Sequence, residues 1–378
     1  MRSPSGPLPE PSGPRPTLKP PCPARDNSTR FRDFHQLTDK DLSSLGWTPH
    51  FARQMADGET LTPARVTEVQ RSQLAVLGAA GPLSLTVRES TGAYAVGDWL
   101  LHDGHRALRR LTPVTEIARQ GAGAVGRQLI AANVDTLGIV TSCNGDFNVA
   151  RLERYLAVAS TAGSLPLVIL TKADQTGDPE DYLRQARRLS PLVTALALDA
   201  RDPEEVARLN AWAGPGQTLA LVGSSGVGKT TLQNTLTGVV AATQGIREDD
   251  ARGRHTTTFR ALRQTLAGGW LIDTPGMREL ALTDAAAGIA ATFSDIAGLA
   301  AECRFSDCTH ATEPGCAVQA AIAAGSLDPD RLRRQQKLAR EDARNTETWH
   351  ERHVRARGWA KATKAGKERS RHKRGGPG

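Results

Sequence analysis

Two patterns of hydrophobic and polar positions divide the chain. Between residues 62 and 118, short apolar stretches such as ARVTEVQ, QLAVLG and LSLTVRES alternate with polar positions and are separated by Gly and Pro. Period-two alternation is typical of half-buried β-strands. The last two stretches are AYAVGDWLLHDG and ALRRLTPVTEIARQ. Together the stretches predict a small five-stranded barrel, for which an OB-fold that binds nucleic acid is the natural candidate. A small β-domain without a ligand is the alternative.

Residues 129–283 follow the second pattern, in which apolar runs alternate with helical ones. The runs TLGIVTS, PLVILTK, VTALALDA, TLALVGS and WLIDTPG predict buried parallel strands. The segments RLERYLAVASTAG, PEDYLRQARRLS, PEEVARLNAWAG and KTTLQNTLTG predict helices between them. This alternation predicts a doubly wound α/β domain. Further short helices are expected at 285–300 and 317–324.

Charge changes this picture at one end. The chain has 48 Lys and Arg against 40 Asp and Glu, a net charge of +8. Residues 331–378 contain 16 basic and 5 acidic side chains, a balance of +11, so the remainder sums to −3. Basic segments of this kind bind nucleic-acid phosphates through counterion release. A solvated charged tail is the alternative.

Several classes of protein are excluded. No uninterrupted apolar run reaches the roughly 18 residues of a membrane span. The Pro-rich N-terminus lacks the apolar centre of a signal peptide, so we expect a cytoplasmic protein whose first residues, 1 to about 30, are disordered. Three of the five cysteines lie near one histidine, which indicates a metal site in a reducing compartment rather than a disulfide framework.

The strongest chemical signal is GSSGVGKTT, which follows the predicted strand TLALV and begins a predicted helix. It matches G-x-x-x-x-G-K-[ST], in which backbone N–H groups surround phosphates at a helix N-terminus. Lys229 is expected to reach the β- and γ-phosphates, and Thr230 to ligate Mg²⁺. The predicted phosphate-binding residues are Gly223, Ser224, Ser225, Gly226, Val227, Gly228, Lys229, Thr230 and Thr231.

A second phosphate-side signal is DTPG, at the end of the predicted strand WLI. The Asp273 carboxylate would hold the Mg²⁺ shell through water, and the Gly276 N–H would contact a γ-phosphate. The motif D-x-x-G is common by itself, but after a P-loop and at a strand end it is a strong indication of a nucleoside triphosphatase.

The base-reading signal is TKAD, formed by Thr171, Lys172, Ala173 and Asp174 at another predicted strand end. A carboxylate at Asp174 can accept hydrogen bonds from N1–H and N2–H₂ of guanine, a donor pair that adenine lacks. The Lys172 stem would lie along the ring. Thr171 stands where Asn is usual, and a hydroxyl can still bond to the loop. These residues predict a GTP site.

The order of the motifs predicts a circular permutation. Ordinary GTPases carry the base-reading motif after D-x-x-G, whereas here residues 171–174 precede the P-loop at 223–230. The D-x-x-G strand thereby becomes the last strand of the domain. The C-terminal segments follow the switch region directly, and nucleotide-dependent ordering there could move them.

The loop GRHTTT, residues 253–258, is expected to supply the switch threonine that folds over the γ-phosphate and Mg²⁺, with Thr256 or Thr257 as the candidates. Many GTPases place a water-orienting Gln after D-x-x-G, but Met277 occupies that position here. Intrinsic hydrolysis should therefore be slow and dependent on a partner. His255 is a candidate substitute for the Gln; a structural loop histidine is the alternative.

A metal site is predicted in CRFSDCTHATEPGC. Its candidate ligands are Cys303, Cys308, His310 and Cys316. Three thiolates and one imidazole suit tetrahedral Zn²⁺ in a closed structural site, with no position left for a catalytic water. Buried free cysteines are the alternative.

Taken together, TKAD, GSSGVGKTTLQNTLTG, GRHTTT, DTPGMREL and the Cys/His cluster resemble the RsgA (YjeQ) family of bacterial GTPases, over about residues 60–340. AYAVGDWLL resembles the OB-fold of that family, and ANVDTL and FNVARLERYL resemble the start of its permuted domain. Three positions depart from it: Thr171, Met277 where Phe is frequent, and Asp199-Ala200 in place of Ser-Ala.

The resemblance implies a GTPase that acts late in maturation of the small ribosomal subunit. Expected partners are GTP and GDP, the subunit with its 16S rRNA, and assembly factors that it releases; expected ions are Mg²⁺ with GTP and one structural Zn²⁺. We expect a monomer. The expected organisation is a disordered Pro-rich arm (1–32), a lead-in and OB-fold barrel (33–120), a circularly permuted GTPase domain (121–284), a zinc-binding module (285–330) and a basic tail (331–378).

Two other classes of function fit these residues less well. A P-loop kinase acting on a small molecule is disfavoured because Asp174 and the D-x-x-G motif have no place in it, and because no substrate pocket or catalytic base is evident. An RNA-binding scaffold with a relic nucleotide site is disfavoured because Lys229, Thr230 and Asp273 are all present.

Overall fold

The computed structural model describes residues 42–88, 90–120, 127–191, 193–239, 260–273 and 282–346. Within these ranges, no helix has both the length and the apolarity needed to cross a membrane. The expected arm and the end of the basic tail lie outside the described residues, so these two expectations stay predictions.

The strands in the described ranges are β1 (Thr62–Val69), β2 (Gln73–Gly78), β3 (Gly81–Thr86), β4 (Trp99–His102), β5 (Ala107–Arg110), β6 (Glu116–Gln120), β7 (Arg127–Ala132), β8 (Thr136–Ser142), β9 (Leu165–Thr171), β10 (Thr194–Ala197), β11 (Thr218–Gly223), β12 (Ala261–Gln264) and β13 (Trp270–Asp273). The α-helices there are α1 (Pro49–Ala52), α2 (Val149–Ala162), α3 (Pro179–Arg187), α4 (Pro203–Ala207), α5 (Lys229–Thr237), α6 (Ala286–Thr292), α7 (Ser294–Ala301), α8 (Ala317–Ala323) and α9 (Pro329–Thr346). Short 3-10 helices lie at Leu42–Leu45, Thr91–Ala93, Ala173–Gln175 and Arg208–Ala211.

Strands β1 to β5 form the predicted barrel. β1 pairs antiparallel with β2 and β4, β2 with β3, and β4 with β5. A parallel bridge between Thr86 and Arg106 joins the end of β3 to the start of β5. The resulting order, β1-β2-β3-β5-β4-β1, is that of the partly open five-stranded OB barrel. Its interior side chains are all buried: Ala64, Val66, Leu74, Val76, Leu85, Leu100 and Ala107.

The fifth predicted strand was wrong in its extent. The stretch ALRRLTPVTEIARQ contains two strands, β5 and β6, with Pro113 between them. Proline has no N–H to donate to a ladder and ends the pairing. β6 instead pairs antiparallel with β7 as a separate two-stranded sheet.

The second half of the chain forms the predicted α/β sheet, with one strand that the sequence pattern did not reveal. β10, β9, β8, β11 and β13 lie side by side and parallel. The unpredicted strand β12 pairs antiparallel with β13 and also meets β1 of the barrel, through the pair Glu68 and Ala261. The barrel and the α/β sheet are therefore continuous through hydrogen bonding.

Helices cover both faces of this sheet. Successive side chains of each central strand enter two different cores, as expected for parallel strands that are buried on both faces. One core receives Ile139, Val168, Leu170, Ala220, Val222 and Ile272, and the other receives Val140, Leu167, Ile169, Leu219, Leu221 and Leu271. The doubly wound α/β prediction is confirmed.

Two of the helices begin at side chains that cap their first turns. Asn148 accepts a hydrogen bond from the Arg151 N–H at 3.0 Å and starts α2, which ends at Gly163 in the left-handed conformation. Asp178 accepts from the Asp181 N–H at 3.0 Å and starts α3, whose first residue is proline.

The lead-in before the barrel packs on both halves of the molecule. Trp47 lies against Phe51 and, at 4.8 Å between ring centroids, against the edge of Trp99 on β4. The Ser44 carbonyl accepts a hydrogen bond of 2.8 Å from the Trp270 indole on β13. The lead-in thus anchors the barrel to the α/β sheet.

Arg65 of β1 is a buried polar link between these parts. Its side chain donates to the Leu45 carbonyl at 2.6 Å, to the Thr218 hydroxyl at 2.7 Å and to the Asn133 carbonyl at 3.3 Å. Burial lowers the pKa of Arg65 to about 10, so the guanidinium remains charged at neutral pH. Since Thr218 begins β11, this contact reaches the strand that leads to the P-loop.

The C-terminal helix α9 is fastened to α2 by ion pairs. Glu153 of α2 has a fully buried side chain and accepts from Arg331 at 2.9 Å and from Arg334 at 2.6 Å. Arg331 also pairs with Asp295 at 2.6 Å and lies over the Phe293 ring at 4.8 Å. Burial raises the pKa of Glu153, and the two guanidinium groups oppose that rise. These ion pairs hold α9 against α2.

Candidate nucleotide-binding and metal sites

The phosphate loop lies between β11 and α5. Gly223 ends β11 with a φ of +144°, and a Cβ there would lie 2.1 Å from the Val140 carbonyl oxygen. Only glycine allows the strand end to pass so close to β8. Gly228, also at positive φ, precedes the first residue of α5. The backbone thus turns at the carboxyl edge of the sheet, where a helix N-terminus favours anions.

Lys229 and Thr230 open α5 as the motif predicts. The Lys229 ammonium donates to the Gly223 carbonyl at 2.9 Å and also to the Ser224 carbonyl. It therefore lies over its own loop. Thr230 is exposed at the helix start. The described residues of the P-loop, 223 to 231, lie together around this turn.

Thr171, which stands where Asn is usual, contacts the P-loop through its hydroxyl. Its side chain is completely buried, and its hydroxyl lies 2.6 Å from the Val227 carbonyl of the P-loop and 3.1 Å from the Thr141 carbonyl. A hydroxyl carries one proton, so the shorter contact to Val227 is the donated hydrogen bond. The base-reading strand is thereby tied to the phosphate loop.

The residues after Thr171 turn into a second loop at the same edge. Lys172 adopts the left-handed conformation with a φ of +57°, and Ala173 begins a 3-10 turn that contains Asp174. Asp174 accepts a hydrogen bond from Arg201 at 2.7 Å. Arg201 follows Asp199-Ala200, so the structure brings that stretch beside Asp174, the predicted base-reading carboxylate.

Arg201 is a residue that sequence reasoning missed, although its place directly after Asp199-Ala200 was a signal. It donates to both oxygens of Asp199, and these hydrogen bonds lower the pKa of Asp199 and raise that of Arg201. The Ala200 carbonyl accepts from the Thr235 hydroxyl at 2.8 Å. This loop is therefore tied to α5, the helix that begins at the P-loop.

The predicted switch residues are described only in part. Pairing of Ala220 with Ile272 puts the backbone of Asp273 at the same sheet edge as the P-loop. Gly276, Met277 and the loop candidates lie outside the described residues; those candidates are His255, Thr256 and Thr257. Their predicted roles stay predictions.

The four predicted metal ligands converge. The ligand atoms of Cys303, Cys308, His310 and Cys316 all lie within 4.8 Å of one another. Cys303 Sγ is 3.8 Å from Cys316 Sγ, and His310 Nδ1 is 3.7 Å and 3.5 Å from these two sulfurs. In a tetrahedral zinc site, two sulfur ligands lie about 3.8 Å apart, and a sulfur and an imidazole nitrogen lie about 3.5 Å apart. The donor set fits Zn²⁺, and the atoms of Cys303, His310 and Cys316 have the required spacing.

Two further side chains support the metal loop and were not predicted. Glu313 accepts from the backbone N–H groups of Thr309, Ala311 and Thr312 at 2.9, 2.8 and 3.0 Å. These hydrogen bonds, with one from the Thr309 hydroxyl, lower the pKa of Glu313 to about 2. Gln319 donates to the His310 carbonyl at 2.5 Å.

A cleft of about 580 Å³ opens beside the P-loop. Ser224 and Ser225 of the loop line one part, Arg151 of α2 a second, and Arg334 and Lys337 of α9 a third. The cleft thus joins the phosphate loop to the helix from which the basic tail continues.

Comparison with known proteins agrees with this geometry. Residues 112–283 match the family model described as RsgA GTPase. Over 314 residues, the chain is 52% identical to the small ribosomal subunit biogenesis GTPase RsgA of Mesorhizobium japonicum, covering 81% of this chain and 91% of the relative.

Two solved structures share the fold. YjeQ from Thermotoga maritima matches with a TM-score of 0.54 at 21% identity, covering 74% of this chain and 97% of that one. YloQ, described as a circularly permuted GTPase, matches with a TM-score of 0.54 at 20% identity, covering 77% and 98%. Motif order, strand order and sequence identity agree that the chain is a circularly permuted GTPase of the RsgA family.

Proposed function

We propose that this GTPase acts late in maturation of the small (30S) ribosomal subunit, where it binds 16S rRNA, is stimulated by the subunit and releases assembly factors. The relatives' names supply the ribosomal context. The observation that best supports a GTP site is the 2.6 Å contact of Thr171 with Val227, which joins the proposed guanine-reading loop to the phosphate loop. We further propose that the protein acts as a cytoplasmic monomer.

In this proposal the described residues bind and orient GTP. Asp174 accepts the N1–H and N2–H₂ of guanine, and Lys172 lies along the ring. Lys229 and the N–H groups of the P-loop hold the phosphates. Mg²⁺ bound with GTP would neutralise phosphate charge, and Thr230 and Asp273 would hold it.

The proposed switch completes the site. Thr256 or Thr257 closes over the γ-phosphate, Gly276 contacts it through its N–H, and His255 takes part in orienting water. Met277 lacks a hydrogen-bonding group that could take the role of Gln. Hydrolysis therefore depends on an activating partner, for which the subunit is our candidate.

The zinc module has a structural role in this proposal. Three thiolates and one imidazole complete a tetrahedron, so zinc bound there would stabilise the loop and leave no position for a reacting water. The domain boundaries predicted at residues 120, 284 and 330 are part of the same proposal.

The cleft beside the P-loop supports coupling between RNA and nucleotide. Lys337 and Arg334 belong to α9, while Ser225 belongs to the phosphate loop, and all three line one cleft. A change in the loop on hydrolysis can therefore reach the helix that leads into the basic tail. We propose that the tail holds rRNA phosphates and that GTP times this contact.

The test is GTP turnover with and without purified small subunits. We expect slow turnover alone and marked acceleration by the subunit. Lys229→Ala should abolish turnover while subunit binding persists, because the barrel and tail are unchanged. Turnover that the subunit does not alter would contradict the proposal. Loss of subunit binding in Lys229→Ala would contradict a separate RNA-binding role for barrel and tail.

A further inference from the structure

One guanidinium bridges two carboxylates at the edge of the guanine site. Arg201 Nη2 donates to Asp174 Oδ2 at 2.7 Å and to Asp199 Oδ2 at 2.9 Å. Arg201 Nε donates to the Asp199 oxygens at 3.0 Å and 3.2 Å. The proposed base-reading group is therefore already engaged by a neighbouring cation.

Guanine binding and this ion pair make competing demands on Asp174. The N1–H and N2–H₂ of guanine use both carboxylate oxygens, while Arg201 donates to one of them. We infer that Arg201 is a positioning residue that gates the guanine site. It donates to Asp174 when the site is empty, breaks this hydrogen bond when guanine binds, and keeps its hydrogen bonds to Asp199. This inference rests on the proposed role of Asp174.

Asp199 is built to keep Arg201 in place when Asp174 is taken. Its Oδ1 accepts from the Arg201 backbone N–H at 2.9 Å in addition to the side-chain contacts. The Asp199 N–H in turn donates to Glu205 Oε2 at 2.7 Å, which fixes the loop to α4. Arg201 therefore needs to break only its hydrogen bond to Asp174.

The size of the effect follows from exposure. The Arg201 side chain is 62% exposed and that of Asp174 33% exposed. An exposed ion pair of this kind changes an equilibrium by about 1.4- to 5-fold and is weakened by salt. The gate should accordingly reduce guanine affinity by a few-fold at low ionic strength and lose this effect at high ionic strength.

The experiment measures the affinity of fluorescent GDP for the full chain at about 50 mM and about 500 mM salt, a range over which exposed ion pairs become screened. Arg201→Ala should bind GDP about 1.4- to 5-fold more tightly than the unaltered protein at low salt. At high salt the two affinities should converge. Arg201→Lys keeps the charge and should restore part of the salt-dependent difference.

Arg208→Ala is the matched control. Arg208 is an exposed cation that donates to the Ala197 carbonyl at 3.1 Å and, among the described residues, forms no ion pair with Asp174. It should leave GDP affinity unchanged relative to the unaltered protein. Equal tightening by Arg208→Ala, or unchanged or weaker binding in Arg201→Ala, would overturn the inference.

Asp199→Asn gives a prediction of opposite sign. Without the Asp199 charge, Arg201 is left with Asp174 as its carboxylate partner and should compete more strongly, so GDP should bind more weakly. Tighter binding would count against the gate.

Asp174→Asn separates this inference from the function on which it rests. If Asp174 reads guanine, this variant should lose GDP and favour xanthosine diphosphate. An unchanged guanine preference would remove the base-reading role and the gate together. A change of preference, combined with no tightening in Arg201→Ala, would remove the gate alone.

Discussion

The Thr171 hydroxyl lies 2.6 Å from the Val227 carbonyl oxygen, joining two loops that are 56 residues apart in sequence. Thr171 ends β9 and Val227 is the centre of the phosphate loop. Because both groups are buried, neither can exchange this hydrogen bond for one to water. The bond therefore fixes the spacing between the base-reading loop and the phosphate loop.

Thr171→Val should weaken nucleotide binding, and Thr171→Asn should largely preserve it. Valine keeps the shape but leaves the Val227 carbonyl without its donor, at a cost of about 1–3 kcal/mol. Asparagine supplies an N–H donor. Fluorescent GDP titration and thermal unfolding measure the two effects. Equal binding by the valine variant and the unaltered protein would show that the contact does not organise the site.

Arg65→Met should destabilise the whole protein. Methionine fills much of the volume but leaves the Leu45 and Asn133 carbonyls and the Thr218 hydroxyl without a buried donor. Leaving a buried acceptor without its donor costs about 1–3 kcal/mol, and several acceptors are affected here. Denaturant unfolding would measure it. Arg109→Met is the control, because its pair with Glu59 is exposed and should be worth less than about 1 kcal/mol.

Sequence reasoning gives its sharpest predictions where the signal is local. The P-loop, TKAD and the Cys/His cluster each lie within a short segment, so their spacing alone predicts a chemistry for each. Arg65 gave no such signal because Thr218, its partner, is 153 residues away. Glu153 and Arg331 are 178 residues apart and each looks like an ordinary surface charge in sequence.

The strand β12 was missed for a related reason. Its four residues, Ala261–Gln264, are too short for a clear alternating pattern, and β13 and β1 on either side define it. Conversely, ALRRLTPVTEIARQ looked like one strand because its alternation continues through Pro113. Pairing partners decide such cases, and they are absent from a local pattern.

Glu153→Gln should loosen helix α9 from α2. The substitution removes the charge between Arg331 and Arg334 while their guanidinium groups remain partly buried, which should cost about 3–5 kcal/mol. Hydrogen exchange of α9 should accelerate more than that of β8. Glu341→Gln is the control, since its pair with Arg154 is more exposed and should change exchange little. Equal acceleration by both variants would contradict a special role for Glu153.

Cys143 should be inert in the folded protein. Burial raises the pKa of its thiol from 9.0 to about 11, so little thiolate forms at pH 8. Between pH 9 and pH 11 the Cys143 thiol is largely deprotonated in the unfolded state but still protonated in the folded state. The free energy of unfolding should therefore fall as pH rises from 9 to 11. Mass spectrometry after treatment with an alkylating reagent measures the fraction of Cys143 that has reacted. Rapid modification at pH 8 without unfolding would contradict its burial.

Glu313→Gln should weaken metal retention without removing a ligand. The Glu313 carboxylate accepts the N–H groups of Thr309, Ala311 and Thr312, which flank His310. A glutamine oxygen cannot accept all of them, so the loop should hold the ligands less firmly, and zinc affinity should fall up to about 10-fold. Competition with a colorimetric chelator measures the zinc affinity.

Two variants make this metal prediction decisive. Cys308→Ser should release zinc outright, because it removes a thiolate from a four-ligand site. Glu302→Gln changes the same charge beside Cys303 but has an exposed side chain, and it should retain zinc like the unaltered protein. If Glu313→Gln retained zinc as well as Glu302→Gln does, its backbone hydrogen bonds would have no part in holding the ligands.

Because the pKa of Glu313 is about 2 against a usual 4.5, its support should persist at pH 5 and decline only as pH falls toward 2.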